Sequence, residues 1–516
     1  MTVPENTSTI FESEANQEPH GEGVTVIVTL YNYQTYIKNA LDSVFRQTHS
    51  NIELVVVDDA SQDNSLSVAR EWFKENGTRF SKAKLLLHPR NYGLAQARNT
   101  AFSSATNEFV FVLDADNEIY PEAISKLSRG CISASTEAAY SLVENFGDES
   151  GIRNINSFWN PARFAIANYV DAMALIRKSA WLAVGGYSYF DVPGWEDYDL
   201  WCKFVEHGFR GTLVPELLCR YRVHKSSMIA VVTKPKLDQL IPEMMKRHSW
   251  LRLKESTGSI KPRKELDLKK IAHMKIAIGN TSRPFYYRPV STDIPVLKQI
   301  LVEKNYDFRT HRRFRELAIF AEQQQKKGLR PLIVDAGANT GASALYFSAG
   351  FPGGTVFAIE PEWENYQLLV RNISGLANVV AWCAAAASSE GFSKISDPGI
   401  GEWGYRTDPL SPDDKLQNMV ERVTMNQIYE SFRPTCFPFI AKIDIEGGEK
   451  DLFSAATQWV EQTPLIAVEL HDRYFPGDNV SAPFLNCVSK LDRDLYHLGE
   501  LTFSVARDLT KFGVPM

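Results

Sequence analysis

The chain has 516 residues and a formal net charge of −6, with 44% hydrophobic and 23% charged residues. This length predicts about three domains, and the composition is that of a soluble globular protein. The acidic balance argues against general nucleic-acid binding. Six scattered cysteines without a C-x-x-C pair exclude a disulfide framework or zinc knuckle, and no apolar run approaches the roughly 18 residues of a membrane span. We therefore expect a cytoplasmic protein with no transmembrane segment.

Residues 1–22 are polar and acidic and have no apolar h-region, which predicts a disordered lead-in rather than a signal peptide. Strand-like apolar runs follow at 24–30, 52–57, 84–87 and 109–113. Helical patterns separate them at 34–45, from Ser61 as a plausible N-cap to about 75, and after the loop 91–99. Strands that alternate with helices predict an α/β fold with a parallel, doubly wound sheet.

Polar residues gather where these strands end, namely Tyr31 with Asn32, Asp58 with Asp59, and Asp114 with Asp116. The carboxyl edge of such a sheet is where ligands bind. If the backbone stays extended, Asp114 and Asp116 point to the same side and suit a hard divalent cation, and such a cation suits a diphosphate. The alternative is a surface turn in which Asp and Asn117 satisfy backbone amides.

Farther on, a strand at 171–176 precedes the aromatic segment 194–201, which carries three carboxylates, Glu196, Asp197 and Asp199. Carboxylates held close together among aromatic residues are costly unless they have a function or charged partners, so they indicate a functional site. The alternative is a helix N-terminus, where acidic residues complement the dipole, and both descriptions can hold at once. We expect structural roles for Asp199 and Trp201.

Segments 29–32, 58–63, 91–99 and 114–116 resemble, in order and spacing over about 230 residues, the inverting GT-A glycosyltransferases of family 2. Two positions depart from the family pattern: Thr29 stands where proline is common and Ala60 where glycine is common. The resemblance implies a Rossmann-like nucleotide-sugar-binding domain that transfers a sugar by a single in-line displacement with inversion.

The resemblance also assigns residues to roles. It implies that a nucleoside-diphosphate sugar is held by Thr29, Tyr31, Asn32, Asp58, Asp59, Arg98 and Asp114. It implies that Mn²⁺ or Mg²⁺ is held by Asp114, Asp116 and His224, that Asp197 is the general base, and that Glu196 orients the acceptor or shares the proton. The alternatives are a helix-surface charge for Arg98 and an ordinary satisfied histidine for His224.

The stretch 233–275 is helical in periodicity and basic in charge. One interpretation is a surface, through residues 244–270, that contacts an anionic membrane or a lipid-linked acceptor. The other, which we favour, is a solvated helix packed on the first domain. We expect the domain boundary between Ser256 and Lys270.

A second α/β unit then begins, with a strand at 332–334, a glycine loop at 335–341, a helix to 347, and a strand at 356–359 that ends in Glu360. This spacing suits the ribose of either NAD or S-adenosylmethionine. The missing third glycine and the preceding Asp335 favour S-adenosylmethionine.

Segments 288–306, 335–341, 360–361, 403–407 and 442–447 resemble the FkbM-type methyltransferases over residues 280–500. The resemblance implies a class I Rossmann-like fold and O-methylation of sugars or polyketides. It also implies that the cofactor S-adenosylmethionine is bound by Asp335, Gly337, Asn339, Gly341 and Glu360.

Candidates for the proton-accepting group in methyl transfer are Asp444 and Glu446, after the buried strand 439–443, and His471, after the strand 465–470. His471 has the alternative of a loop residue that bonds backbone. A metal gathered by Asp444, Glu446 and Glu449 is also compatible with the sequence, although nothing in it demands one.

The sequence thus predicts a lead-in at 1–22, a GT-A domain at 23–260 with a helical, basic junction at 228–275, and a methyltransferase domain at 276–516. The hypothesis is a bifunctional enzyme that glycosylates a glycan or lipid-linked glycan and methylates a sugar hydroxyl, as in O-antigen or capsule synthesis. The alternatives are a glycosyltransferase whose methyltransferase-like domain only binds, and a protein- or peptide-modifying enzyme.

Overall fold

The computed structural model describes residues 3–14, 21–149, 151–153, 157–253, 266–279, 281–308, 312–396, 406–408, 419–433 and 435–512. The chain forms two compact units, Met1–Ser259 and Ile260–Met516. The boundary predicted between Ser256 and Lys270 falls largely on residues 254–265, outside the described residues, and the predicted domain limits stay a prediction.

The strands of the first unit are β1 (Ser8–Glu14), β2 (Val24–Leu30), β3 (Ile52–Asp58), β4 (Lys82–Leu87), β5 (Phe109–Asp114), β6 (Glu118–Ile119), β7 (Ala138–Gly147), β8 (Gly151–Arg153), β9 (Ala174–Arg177) and β10 (Gly211–Val223). Its helices are α1 (Ile37–Phe45), α2 (Ser65–Asn76), α3 (Leu94–Ser104), α4 (Ala123–Ser133), α5 (Pro161–Phe164), α6 (Lys178–Ala183), α7 (Glu196–Glu206) and α8 (Leu237–Arg247).

These strands form a ten-stranded sheet in the order β1-β4-β3-β2-β5-β9-β7-β10-β6, with β8 paired to β7. The strands from β4 to β5 are mutually parallel, as are β7 and β10. Every residue of β2 and β3 is buried, because helices cover both faces of a doubly wound sheet. Chain order reverses between β2 and β5, and such a reversal opens a crevice at the carboxyl ends of the strands.

Two local predictions for this unit are wrong, and the bounds of a third are shifted. Part of the predicted lead-in, Ser8–Glu14, is a strand that pairs antiparallel with β4. Ser61 does not cap α2, which begins at Ser65; its hydroxyl instead accepts a hydrogen bond from the Asn32 amide. The predicted strand at 171–176 is β9, which is shorter and runs antiparallel to β5.

The strands of the second unit are β11 (Ala272–Ile278), β12 (Thr281–Tyr287), β13 (Arg330–Ala336), β14 (Thr355–Ile359), β15 (Val379–Trp382), β16 (Ala384–Ala386), β17 (Gly391–Ser396), β18 (Arg406–Asp408), β19 (Met419–Val423), β20 (Cys436–Ile443), β21 (Leu465–Glu469), β22 (Arg493–Leu498) and β23 (Leu501–Ala506). Its helices are α9 (Asp293–Leu301), α10 (Phe314–Lys326), α11 (Ala342–Gly350), α12 (Trp363–Ile373), α13 (Met425–Phe432), α14 (Glu449–Leu452), α15 (Gln458–Gln462) and α16 (Ala482–Val488).

The main sheet of this unit has the order β15-β14-β13-β20-β21-β23-β22, and β23 is antiparallel to its neighbours. The order reverses between β13 and β20, which places the glycine loop and the end of β20 at one crevice. A four-stranded sheet, β16-β19-β17-β18, and the hairpin β11-β12 complete the unit. The predicted fold class, two successive α/β domains of Rossmann-like design, is confirmed.

The predicted helical junction at 228–275 is only partly helical. Helix α8 ends at Arg247, strand β11 begins at Ala272, and residues 254–265 lie outside the described residues. Met244 and Leu251 are fully buried, as expected for a helix packed on its own domain. Among the described residues, no helix is both long and apolar enough to cross a membrane.

Candidate active sites

The first candidate site lies at the crevice between β2 and β5. In the sheet register Thr29 of β2 pairs with Val57 of β3 on one side and with Asp114 of β5 on the other. Asp58 is the next residue after Val57. The ends of three adjacent parallel strands therefore bring these predicted residues to one edge. This proximity follows from strand pairing and not from any local pattern.

Arg98 is buried on α3 with 2% exposure, and its Nη2 donates a 2.9 Å hydrogen bond to Asp114 Oδ1. Its guanidinium also lies over the ring of Tyr187. The alternative of a helix-surface charge is therefore wrong. The observed contact makes Arg98 the partner that orients Asp114, and direct contact of Arg98 with a ligand stays a prediction.

The backbone is not extended from Asp114 to Asp116, because β5 ends at Asp114 and the chain then turns. The Asn117 amide donates a 3.1 Å hydrogen bond to the backbone carbonyl oxygen of Asp114. Asn117 in turn accepts a hydrogen bond from the Arg222 amide. The turn alternative is thus correct for the backbone. It does not exclude a site, because the Asp116 carboxylate faces His224, with Oδ2 3.1 Å from Nε2. Burial and the nearby Asp114 raise the pKa of Asp116.

Asp58 and Asp59 have different environments. Asp59 accepts hydrogen bonds from the backbone amides of Tyr92 and Gly93 and lies 2.6 Å from His88 Nδ1, so it anchors the loop that leads into α3. Asp58 Oδ1 accepts from the Ser61 amide, whereas its buried Oδ2 has no hydrogen-bond partner among the described residues. Burial raises the pKa of Asp58. Asp58 therefore keeps one buried oxygen without a partner among the described residues, whereas both oxygens of Asp59 accept hydrogen bonds.

The loop after β2 is held by Asn32, a non-glycine residue at φ 58°. Its Oδ1 accepts from the Gln62 amide and its own amide donates to Ser61 Oγ. Tyr31 beside it is 41% exposed, and Thr29 is nearly buried. Asn32 therefore joins two loops, while Tyr31 presents an open aromatic face at the same edge.

Glu196 and Asp197 begin helix α7. Asp197 Oδ2 accepts a 3.0 Å hydrogen bond from Asn168 Nδ2, and Glu196 Oε2 accepts one from the Gly194 amide. Burial raises the pKa of Asp197 to about 7, against the opposing positive charge of Arg98. Asn168 is a partner that the sequence analysis missed. Asp199 instead forms ion pairs with Lys203 and His248, which is the structural role expected for it.

The second candidate site surrounds the glycine loop after β13. Gly337 has φ 80°, and a Cβ there would lie 1.6 Å from the backbone oxygen of Asp444. At Gly341 a Cβ would lie 2.9 Å from Leu369 Cδ1. Glycine at these positions is therefore required by close packing of the chain against itself. The loop can then cross the end of β20 at the crevice.

A cavity of about 380 Å³ opens at this crevice. Its wall includes Gly337, Asn339, Glu360, Asp444, Glu446 and Glu469. Glu360 Oε2 accepts from the Asn339 amide at 2.9 Å and Oε1 from the Glu362 amide at 3.0 Å. Burial raises the pKa of Glu360 to about 7. The predicted acidic residue of the second strand therefore reaches the cavity, in a size range of about 300–1,000 Å³ that is typical of ligand sites.

Asp335 does not line this cavity. It is fully buried, its Oδ2 accepts from Ser343 Oγ at 2.6 Å, and its Oδ1 lies 3.3 Å from Lys442 Nζ. Gly341 also lies outside the cavity wall, as the cap residue of α11. Asp335 thus positions Lys442, which donates to the backbone oxygens of Ala336 and Gly337. The sequence analysis gave Lys442 no role.

Asp444 and Glu446 line the cavity, and the buried His471 lies beside them. His471 Nε2 lies 3.4 Å from Glu446 Oε2 and 3.7 Å from Asp444 Oδ1. Glu449 lies on the other side of the His471 ring, with Oε1 3.2 Å from Nδ1, and its two oxygens accept from the Ile445 and Gly447 amides. The alternative in which His471 only bonds backbone is wrong for its side chain. Glu469, at the end of β21, also lies 3.7 Å from His471 Nε2 and was missed.

These two sites define a chain with two α/β domains of the nucleotide-binding type. The family Glycosyl transferase family 2 matches residues 25–191, and the Methyltransferase FkbM domain matches residues 335–486. The chain therefore contains a family 2 glycosyltransferase domain followed by an FkbM methyltransferase domain, and both predicted resemblances are confirmed. Each family is one of transferases, so the chain is an enzyme.

The relatives match the first domain. EpsE of Bacillus subtilis (strain 168), which is named as a glycosyltransferase, is 29% identical over 213 residues, which are 40% of this chain and 74% of EpsE. Glycosyltransferase GlyA of Streptococcus pneumoniae serotype 4 is 33% identical over 129 residues, which are 25% of this chain and 18% of GlyA. The chain thus spans most of EpsE and less than a fifth of GlyA.

Among solved structures, residues 1–349 of S. aureus TarS in complex with UDP-GlcNAc align with a TM-score of 0.38 and 18% identity. The alignment covers 45% of this chain and 68% of that one.

Proposed function

We propose that the first domain transfers a sugar from a nucleoside diphosphate to a glycan hydroxyl with inversion, in a reaction that needs Mn²⁺ or Mg²⁺. The observation that carries this proposal is the cluster at the β2–β5 crevice: the Arg98–Asp114 pair, Asp116 facing His224, and the unpartnered oxygen of Asp58. Asp58, with Thr29, Tyr31 and Asn32 on the same edge, would bind the nucleoside.

The donor set fits the cation. Carboxylate oxygens with one imidazole suit Mn²⁺, and Asp116 Oδ2 lies 3.1 Å from His224 Nε2. Asp114, Asp116 and His224 would hold the ion, whose charge stabilises a departing diphosphate. Arg98 keeps Asp114 oriented by occupying its Oδ1.

Asp197 is the proposed general base. The bond between the anomeric carbon and the diphosphate oxygen breaks, and its electron pair leaves with the nucleoside diphosphate. The acceptor oxygen bonds to the opposite face of that carbon, and its proton passes to Asp197. A carboxylate whose pKa is about 7 accepts a proton near neutral pH better than an ordinary one does. Glu196, held by the Gly194 amide, would orient the acceptor.

For the second domain we propose O-methylation of a sugar hydroxyl with S-adenosylmethionine. The cavity fits this cofactor, because a buried carboxylate, Glu360, and the glycine loop meet on its wall. Glu360 and the loop with Gly337 and Asn339 would bind it, while Asp335 supports the loop through Lys442. When bound, the cofactor would supply the methyl group: its sulfur–methyl bond would break, the electron pair would stay on sulfur, and an oxygen–methyl bond would form. The hydroxyl proton would pass to a carboxylate of the cluster formed by Asp444, Glu446 and His471.

The two reactions together suit the synthesis of a methylated surface polysaccharide on a glycan or lipid-linked acceptor. A tether between the two domains raises the local concentration of a shared glycan. A lipid-linked acceptor would also be compatible with peripheral contact between residues 244–270 and a membrane, which is a minor part of this proposal. A methyltransferase-like domain that only binds, and a peptide acceptor, are the competing functions.

The test incubates the full chain with a panel of nucleotide sugars and Mn²⁺, with glycan and peptide acceptors, and records transfer. We expect one donor to be consumed, and Asp116→Asn to abolish transfer. Wild-type transfer by Asp116→Asn would overturn the metal assignment. Calorimetric titration with S-adenosylmethionine tests the second domain: Glu360→Ala is expected to lose binding, and methylation of a glycan excludes the binding-only alternative.

A further inference from the structure

The carboxyl ends of β20 and β21 bring three potential metal ligands together, two of them on the cavity wall and one buried beside it. Asp444 and Glu446 directly follow β20, and His471 follows β21, which is the next strand along the chain. One ligand atom from each of the three lies within 4.8 Å of the others. Ligand atoms this close together can share one cation.

His471 supplies the observation that separates this cluster from a patch of acidic residues. It is 1% exposed, and its Nε2 lies 3.4–3.7 Å from carboxylate oxygens of Asp444, Glu446 and Glu469, which is longer than an ordinary N–H···O hydrogen bond. Its Nε2 points toward Asp444 and Glu446, at 3.7 and 3.4 Å. A buried imidazole whose nitrogen points at several carboxylates at these distances has the orientation of a metal ligand.

In metal-binding histidines the ring nitrogen that does not bind the metal usually contacts a carboxylate, a backbone carbonyl or water, and Glu449 is in this position beside His471. Nδ1 lies 3.2 Å from Glu449 Oε1. A carboxylate on this side of the ring favours the tautomer with its proton on Nδ1, which leaves Nε2 free to bind a metal. Glu449 is itself held by the Ile445 and Gly447 amides, so the support is rigid.

The local charge also favours a cation. Asp444, Glu446 and Glu469 face His471 Nε2, with Glu449 behind the ring, and Lys442 Nζ is 3.5 Å from Asp444 Oδ2. Arg473, which also lines the cavity, is paired with Glu500. Four carboxylates thus surround one lysine and one imidazole, and a divalent ion would neutralise the excess.

We propose that Asp444, Glu446 and His471 bind a divalent cation of the Mg²⁺ or Mn²⁺ class at the wall of the second domain's cavity. A cation there would bind two neighbouring oxygens of an acceptor, so the expected methyl acceptor is a vicinal diol. It would also lower the pKa of the bound hydroxyl. This role in catalysis rests on the methyl transfer proposed above, whereas the binding of the cation does not.

The test uses Mn²⁺ alone, with the full chain carrying Asp116→Asn and His224→Ala so that the site proposed in the first domain is removed. Titration followed by electron paramagnetic resonance counts bound ions, and spin-echo modulation detects nitrogen coupled to the metal. We expect one tightly bound Mn²⁺ with coupling to one imidazole nitrogen. Adding His471→Ala should remove the coupling and weaken binding about tenfold or more.

His497→Ala is the matched control, because His497 is an exposed histidine of the same unit, and it should change neither readout. Asp444→Asn is a second variant that keeps the side-chain shape, and it should also weaken Mn²⁺ binding. A chain without bound Mn²⁺, or bound Mn²⁺ whose nitrogen coupling survives His471→Ala, would overturn the proposal. Absence of methyl transfer with Mn²⁺ binding intact would instead count against the proposed function alone.

Discussion

Arg98 Nη2 lies 2.9 Å from Asp114 Oδ1, and this contact joins helix α3 to the end of β5. The Arg98 side chain is 3% exposed and that of Asp114 is 29% exposed. Without the pair, the charge of Arg98 would be buried with no compensation, whereas Asp114 would still be solvated. Burial raises the pKa values of Glu196 and Asp197, and the positive charge of Arg98 opposes this rise at both carboxyls. One side chain thus links the predicted metal-binding carboxylate with the predicted base.

Arg98→Met should destabilise the protein by about 3 kcal/mol, the lower end for breaking a buried pair, because Asp114 can still be solvated. Loss of the positive charge should also raise the pKa of Asp197 further. Urea unfolding measures the first effect, and the pH profile of sugar transfer the second. Arg70→Met, at an exposed position of α2, should stay within about 0.5 kcal/mol of wild type. Equal unfolding midpoints for both variants would show that the Arg98–Asp114 pair does not stabilise the protein.

Asp197→Asn should lower the rate of sugar transfer about 10²–10⁴-fold, because the base is lost while Asn168 keeps a partner. In the wild type, transfer should fall as the pH drops below about 7, where Asp197 becomes protonated. Steady-state rates between pH 5 and 9 measure both effects. A rate that is independent of pH across 7 would exclude Asp197 as the base.

Asp197→Asn should lower the rate of sugar transfer but raise the stability of the fold. Because the folded pKa of Asp197 is raised, the folded state binds its proton more tightly than the unfolded state does, and stability is lost as pH rises from about 4 through 7. Asp197→Asn removes this loss, so its melting temperature should exceed that of wild type at pH 8. The difference should shrink toward pH 5. Thermal melts at the two pH values provide the comparison.

Lys442→Met should destabilise the second domain by about 3–5 kcal/mol, because it leaves Asp335 buried without its positive partner. The double variant Asp335→Asn, Lys442→Met should recover part of this loss. A double-mutant cycle by chemical unfolding gives the coupling between the two residues. Additive effects of the two substitutions would show that the 3.3 Å contact carries no coupling.

Gly337→Ala should abolish binding of S-adenosylmethionine, since its Cβ would lie 1.6 Å from the Asp444 oxygen and force the loop away from β20. Gly328→Ala is the matched control: Gly328 also has positive φ, at 84°, but nothing lies within 4 Å of the added carbon. The control should cost only backbone strain, about 1–2 kcal/mol, and keep binding. Calorimetric titration of both variants makes the comparison, and equal binding would contradict the packing argument.

Much of the fold was accessible from the sequence. The run of β2, VTVIVTL, is buried at every position, and the carboxylates after β3 and β5 lie at the predicted edge. The spacing from Gly337 to Glu360 likewise predicted the second crevice. These features depend on periodicity and turn residues within a short stretch, so they can be recognised without knowledge of the rest of the chain.

Partners distant in the chain were decided by tertiary structure alone. The pairing of β1 with β4, the antiparallel direction of β9, and the loop-anchoring role of Asp59 have no local signal. The same holds for His471, whose imidazole meets Asp444 only because β20 and β21 are neighbours in the sheet. The sequence by itself determined which residue types follow which strand. Strand order and packing decided which of them face a ligand, because a side chain's neighbours are set by contacts between remote segments.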